Sequence, residues 1–326
     1  MHCFLPTIEV TQIMISSRHA HLYVAGRTHP GLKRPNNEDR FVILPQYVSR
    51  SRRIPSVLAV VADGIGGHQA GEVAAEIAIN TIVQHVSASQ AENPPEILAQ
   101  AFIQANQRIN QAAAQRENHR GMGTTCVAAW VLGTRLYAAS LGDSRLYLWR
   151  NQRLYQLTTD HTWVQEAVEA GVLTTQQARH HPNARIVRRY LGSPKTERPD
   201  LRIRLLPRES TVEAEAHQGM RLHPGDRLLL CSDGLSDLVE DAEIARILQS
   251  TTSLDFALES LIQRANAQGG RDNITAVLLE VPHQKRFALD KARRDTLLVL
   301  SILGTGAFLL CVMGSILAYF LSQYLR

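Results

Sequence analysis

Val57-Leu58-Ala59-Val60-Val61-Ala62-Asp63-Gly64-Ile65-Gly66-Gly67-His68 is the stretch whose reading decides the fold. Six apolar residues run into an aspartate, and a glycine-rich turn follows. The run is short, rich in β-branched residues and bounded by glycine, which predicts a strand buried on both faces. An aspartate at the exit of such a strand is held rigidly at a mouth. Glycines let the backbone turn sharply and leave carbonyls and amides accessible. A carboxylate beside backbone carbonyls is hard-oxygen chemistry, suited to Mg²⁺ or Mn²⁺. Taken alone, an aspartate capping an ordinary strand-to-turn junction is the simpler account.

The pattern recurs. Leu228-Leu229-Leu230-Cys231-Ser232-Asp233-Gly234-Leu235 is again an apolar strand followed by Asp-Gly. Leu136 to Leu141 runs into Gly142-Asp143-Ser144-Arg145, and Gly270-Arg271-Asp272-Asn273 sets an aspartate just before a strand. Four aspartates at four strand ends can converge on one metal cluster, and each repetition weakens the account by chance.

The chain has 326 residues, enough for one large domain or two small ones. Hydrophobic residues make up 44% and charged ones 20%, a globular composition with something apolar added. The net charge of +5 raises nucleic acid as a partner. The absence of an aromatic-plus-basic platform or zinc-knuckle spacing argues against it, and no nucleic-acid binding is expected. Cys3, Cys126, Cys231 and Cys311 lie far apart with no Cys-x-x-Cys, so neither a zinc site nor a disulfide framework is expected. The first 20 residues read as an irregular leader without a signal peptide, since Glu9 interrupts the apolar start.

Strands are expected at His21–Ala25, Phe41–Leu44, Gly123–Leu132, Arg135–Leu141, Arg145–Trp149, Arg153–Leu157, Leu201–Leu206 and Thr275–Val281. Gln46 to Pro55 reads as a basic loop. Helices are expected from Gly71 to about Ser87, from Pro94 or Pro95 to about Gln115, over Trp163–Ala170 and Thr174–Arg179, over Asp241–Gln249, and from Leu254 to about Gln268. Pro207 to Gly219 reads as a polar, acidic insertion whose conformation the sequence leaves open. Many strands joined by hairpin-length turns, with helices interspersed, argue an antiparallel α+β domain.

Arg34 with Asn37-Glu38-Asp39, Ala62-Asp63-Gly64-Ile65-Gly66-Gly67-His68, Gly123-Thr124-Thr125, Gly142-Asp143-Ser144-Arg145, Asp160-His161, Cys231-Ser232-Asp233-Gly234-Leu235 and Gly270-Arg271-Asp272-Asn273-Ile274-Thr275 occur in that order. Together they resemble the metal-dependent PP2C-like, or PPM, Ser/Thr protein phosphatases in their bacterial form, over roughly Val24 to Val281. The resemblance implies two stacked antiparallel sheets flanked by helices on both sides. It implies two Mn²⁺ or Mg²⁺ ions bridged by Asp63, with the Gly64 carbonyl, Asp233 and Asp272 as further ligands and Glu38 reached through water. Asp143 with Asp233 matches the third-ion site of bacterial members. Arg34 matches the clamp on phosphate oxygens, with Asp39 and Asn273 in support, and the segment from His161 to Gly192 matches the substrate flap. The implied reaction is in-line attack on phosphoserine or phosphothreonine by a hydroxide bridging the ions. Many eukaryotic members place a histidine after the Asp-Gly; Ile65 stands here, which leaves the proton donor open. A phosphatase of anti-sigma-factor antagonist proteins and a catalytically silent phospho-binding scaffold are the alternatives. The complete acidic set argues against the second.

From Thr296 to Leu325 no charged residue occurs. Residues 296–321, about 26 at ~1.5 Å each, would span ~39 Å as a helix, more than the ~30 Å hydrocarbon core. Lys285, Arg286, Lys291, Arg293 and Arg294 precede the segment, against Arg326 alone after it. The positive-inside rule then sets the preceding domain on the cytoplasmic side of the cell membrane, opposing kinase signalling there. The expected organisation is a leader at 1–20, a phosphatase domain at 21–283, a linker at 284–295, a transmembrane helix at 296–321 and a tail at 322–326. Gly304, Ala307, Cys311, Gly314 or Ser315, and Ala318 share one helix face, which raises a weak homodimer. Small residues are common in membrane helices, and that plainer account outweighs it.

Overall fold

The structure, a computed structural model, describes residues 20–48, 54–65, 70–179, 181–195, 198–206 and 208–283. The chain divides into two units, Met1–Val281 and Pro282–Arg326, and every element described lies in the first. The leader, His68 and the whole of 284–326, with its membrane span and Cys311, fall outside the described residues. Among the described residues no helix is long and apolar enough to cross a membrane.

In chain order, β1 (Tyr23–His29), β2 (Arg40–Val48) and β3 (Ile54–Ala62) lead to the short β4 (Gly64–Ile65). The helices α1 (Gly71–Ala88) and α2 (Pro94–Gln115) follow, then β5 (Gly123–Thr124), β6 (Cys126–Leu132), β7 (Arg135–Leu141), β8 (Arg145–Arg150) and β9 (Arg153–Gln156). Next come α3 (Trp163–Glu169), α4 (Thr175–Arg179), α5 (Thr211–Ala216), β10 (Met220–Arg221) and β11 (Arg227–Cys231). The chain continues through α6 (Asp233–Ser236), α7 (Asp241–Ser250), α8 (Leu254–Ala267) and β12 (Ile274–Glu280).

Two five-stranded antiparallel sheets form, in the orders β1-β12-β11-β8-β9 and β10-β7-β6-β3-β2. Period-2 alternation explains why their central strands are apolar throughout. Val57, Ala59 and Val61 of β3 meet Val127, Ala129 and Val131 of β6 and face Leu146, Leu228, Leu230, Val277 and Leu279 of the other sheet. The intervening Leu58, Val60 and Ala62 turn outward onto Ala74, Ala78, Ile82, Leu98 and Phe102 of α1 and α2. The outer face of the first sheet does the same with Tyr147, Leu229, Ala276 and Leu278 against Leu258, Leu261 and Ile262 of α8 and Ile244 of α7. Val57 to Ala62 are all fully buried, because each face of β3 has its own partner layer. The expected helix–sheet–sheet–helix order is present.

Three expectations need correction. Leu201–Leu206 is not a strand: the Ile203 N–H goes to the Ala214 carbonyl and that of Arg204 to Leu157, so no single neighbour offers a ladder. Gly123–Leu132 breaks at Thr125, whose N–H turns to the Asp63 carbonyl at 2.8 Å. The Gln46–Pro55 loop is shorter than expected, since β2 and β3 pair as far as Val48 and Ile54. The 207–219 insertion holds α5, closed by a capping box in which the Ser210 hydroxyl accepts from the Glu213 N–H and the Glu213 carboxylate accepts from the Ser210 N–H. The Ser-x-x-Glu spacing was the signal for it.

Candidate functional site

The exits of β3, β7 and β11 and the entry to β12 carry Asp63, Asp143, Asp233 and Asp272. At Asp63 the backbone is pinned from the side: its carbonyl accepts from the Thr124 hydroxyl and from the Thr125 N–H, both at 2.8 Å. Gly64 then pairs with Thr124 in the β4–β5 ribbon. A Cβ on Gly64 would land on the backbone of Gly71 at the start of α1, and one on Gly71 would strike the Glu38 carboxylate. Glycine at both positions is what allows the helix start, the β4 turn and the Glu38 loop to meet backbone to backbone.

Asn273 ties the other half of the site together. Its Nδ2 donates to the carbonyls of Pro30 at 3.0 Å and Asn36 at 2.8 Å, while its Oδ1 accepts from the Glu38 N–H at 2.8 Å. The 30–38 loop is thereby hung on the entry to β12, and Arg34 reaches Asp272 at 2.6 Å. Arg34 remains half exposed, so part of its donor fork faces solvent. Asp39 is buried, and its Oδ2 accepts from the Ser232 hydroxyl at 2.7 Å.

The electrostatics show that the carboxylates share one space. Burial, then the neighbouring Asp39, Asp233, Asp143 and Asp272, push the Asp63 carboxyl well above the usual carboxylate range. Burial, then Asp143, Asp237, Asp272 and Asp39, do the same to Asp233. Burial and the charges of Asp160 and Asp237 raise Asp143 to about 7. Asp39 rises to about 6, chiefly through burial, against the hydrogen bonds from Thr275 and Ser232. Glu38 is raised too, mainly by burial. Among the described residues no group of three or more His, Cys, Asp or Glu side chains closes into a metal cage. Oδ1 of Asp233 and Oδ1 of Asp39 are nevertheless buried without a hydrogen-bond partner. Orphaned carboxylate oxygens among mutually repelling carboxylates are what a hard divalent cation satisfies, so the donor set fits Mn²⁺ or Mg²⁺.

The two flap residues turn out to be its roots. His161 is buried, its Nδ1 accepts from the Gly142 N–H at 3.0 Å and its Nε2 lies 3.4 Å from Asp200 Oδ2. At the far end, Gly192 has φ +95°, and its N–H donates to Asn106 Oδ1 at 2.7 Å. Sequence reading held Ser232 and Thr124 within its motifs but gave them no role, and it missed Asp237. Asp237, one helical turn after Asp233, faces the same cluster and pairs with Arg185 of the flap at 3.2 Å; the i, i+4 spacing was the available signal.

Comparison with known proteins bears on this geometry. The family model described as Protein phosphatase 2C matches residues 29–278. The chain is 35% identical over 257 residues to Protein phosphatase PhpP of Streptococcus pneumoniae, covering 78% of this chain and 95% of that one. The solved serine/threonine phosphatase PstP/Ppp of Mycobacterium tuberculosis superposes with TM-score 0.67 at 35% identity, over 80% of this chain and 99% of that one. A structure of the catalytic domain of serine threonine protein phosphatase PstP in complex with two manganese ions superposes with TM-score 0.65 at 33% identity, again over 80% and 99%.

Proposed function

The chain belongs to the protein phosphatase 2C family and is a protein-serine/threonine phosphatase, and on that premise we propose that it hydrolyses phosphoserine and phosphothreonine using Mn²⁺ or Mg²⁺ held by Asp63, the Gly64 carbonyl, Asp233 and Asp272. The observation that carries the reading is the shared field of these carboxylates beside Arg34. Asp143 with Asp233 would hold a third ion, and Glu38 would act through water.

Divalent ions, when bound, neutralise phosphoryl charge and acidify water. The chain's own residues do the rest. Arg34 clamps the phosphoryl oxygens with its forked donors, exchanging the Asp272 carboxylate for substrate. Asn273 fixes the loop that carries Arg34 and Glu38. Asp39, buried and steadied by the Ser232 hydroxyl, supports the Asp63 side of the site. The test is phosphate release by the full chain from phosphoserine, phosphothreonine and phosphotyrosine peptides, with Mn²⁺ or with EDTA. Equal turnover in EDTA would overturn the proposal.

The charge-free run Thr296 to Leu325, with its basic approach, supports a second part: a single membrane anchor with the phosphatase domain on the cytoplasmic side of the cell membrane. Membranes washed with alkaline carbonate should retain the full chain and release residues 1–283. Recovery of the full chain in the wash would refute the anchor. Mild oxidation of the same membranes reads the helix face: a dimer lost in Cys311→Ser would mark a weak homodimer, and a monomer would leave the segment an anchor alone.

A further inference from the structure

The Gly142-Asp143-Ser144-Arg145 turn carries a cation that the chemistry above does not use. Arg145 opens β8 and stands in register with Cys231 of β11. Counted on by two residues, the same antiparallel register sets Asp143 across from Asp233, the two ligands proposed for a third ion. Arg145 therefore lies just inside the sheet from that pair of carboxylates. Its side chain is 19% exposed, and that of its partner Asp160 is 14% exposed. Beyond the effect of burial, the Asp143 carboxyl is pushed up by the charges of Asp160 and Asp237 and held down by that of Arg145.

The guanidinium is held from several sides. Its Nε donates to both oxygens of Asp160, at 3.0 and 3.1 Å, and its Nη2 donates to Oδ2 at 2.6 Å. Its Nη1 donates to the Tyr147 hydroxyl at 2.9 Å, and that hydroxyl donates at 3.1 Å to Asp241 Oδ1 at the start of α7. Gln156 Nε2 donates to Asp160 Oδ1 at 2.9 Å. The next residue, His161, grips the turn ahead of Asp143: the Gly142 N–H donates to its ring at 3.0 Å, and its own N–H donates to the Gly142 carbonyl at 2.9 Å. On the other flank the Ser144 and Thr125 hydroxyls share a hydrogen bond of 2.7 Å. Asp143 is thus presented from a turn tied down on both sides, and the Asp160-His161 pair supplies much of the tie. Without the guanidinium, Asp160 becomes one more unpaired carboxylate beside Asp143, repelling it or competing for its cation.

We propose that Arg145 is a positioning residue for the third ion: its fork on both oxygens of Asp160 fixes the turn that presents Asp143 and keeps Asp160 out of that ion's reach. The proposal rests on the reading above in which Asp143 and Asp233 hold a third ion. A planar guanidinium can hold both carboxylate oxygens and the Tyr147 hydroxyl at once, whereas an ammonium is a point charge on a flexible stem. Partners that orient a metal ligand without touching the metal govern affinity for it. Asp63, pinned by Thr124 and Thr125, has its own supports, so Arg145 acts on the third ion and leaves the other two alone.

The experiment counts Mn²⁺ on the full chain in neutral detergent through the electron paramagnetic resonance signal of the free ion, which needs no turnover. The natural chain should bind a third Mn²⁺ more weakly than the first two. Arg145→Lys keeps the charge and loses the fork; it should weaken the third Mn²⁺ about ten- to a hundredfold and leave the other two within about twofold. Added to Asp143→Ala, the same change should do nothing further to Mn²⁺ binding. A folded Arg145→Lys chain with lowered Tm and an unchanged third Mn²⁺ overturns the proposal, since the pair would then supply stability alone. Should Arg145→Lys fail to fold, the paired variant Arg145→Gln, Asp160→Asn decides, because it leaves no buried charge unpaired. It should fold and still weaken the third ion; an unchanged third Mn²⁺ there overturns the proposal as well. A natural chain that binds only two Mn²⁺ overturns the third ion and this proposal with it, and leaves the two-ion phosphatase reading standing. A natural chain that binds none sinks both.

Discussion

Asp200→Asn is the sharpest test of how the flap is fastened to the sheets. Burial alone would raise the Asp200 carboxyl, but hydrogen bonds from His161 and Arg202 and the Arg202 charge outweigh it and hold the group well below the usual range. Its Oδ1 accepts from the Arg202 N–H at 2.9 Å, and its Oδ2 accepts from Nη2 of the same residue at 2.6 Å. Since the Gly142 N–H donates to His161 Nδ1, the proton on Nε2 points to Asp200. An asparagine keeps one acceptor and turns an NH₂ toward a guanidinium or an imidazole N–H, a donor facing a donor. Removing one partner of a buried pair costs about 3–5 kcal/mol. Arg202 is 16% exposed and can rehydrate, so about 2–4 kcal/mol is expected here. For a domain of this size that lowers Tm by about 5–12 °C.

The pH dependence carries the discrimination. Asp200 has a depressed folded pKa, so its contribution is fully present above the unfolded value of about 3.9 and fades as pH falls toward the folded value. Urea unfolding at pH 7 should show the full gap between natural chain and variant. At pH 3.5 the gap should be smaller by about 0.7 kcal/mol. A gap that is absent at pH 7, or that widens in acid, would refute the assigned role of the carboxylate.

Asp63→Asn should lower kcat at least about a hundredfold. It should also raise the Tm of the metal-free chain at pH 7.5, because a folded pKa above the unfolded one makes the charged carboxyl destabilising at neutral pH. A Tm gain that persists unchanged at pH 4 would contradict that cause. Mn²⁺ at about a hundred times its Kd should add about 2.7 kcal/mol to the natural chain, read as a rise in Tm that EDTA reverses. Arg34→Ala should raise KM for phosphopeptide about tenfold and leave the Mn²⁺-dependent Tm rise in place, whereas weakened metal binding at constant KM would recast Arg34 as structural. Ser210→Ala should cost about 1 kcal/mol through loss of the α5 cap, without changing KM.

What was legible in the chain alone was local. The apolar run ending at Asp63, the repeated Asp-Gly after β11 and the Pro94 helix start depend on residues adjacent in sequence, where alternation, glycine turns and caps act. Both buried faces of β3 could be read from the run Val57 to Ala62 because a residue's outward direction is set by its own strand. Tertiary structure decided what distant segments do to one another. Arg34 meets Asp272 across 238 residues and Ser232 meets Asp39 across 193, contacts that no spacing encodes. Leu201–Leu206 has strand composition yet pairs with no neighbouring strand, since its donors are taken by Ala214 and Leu157. His161 looked like flap and became its anchor because the Gly142 amide and Asp200 surround it. Chain neighbours set local conformation, but the field at a carboxylate is the sum over everything folding brings within a few ångströms, and that sum exists only in the folded chain.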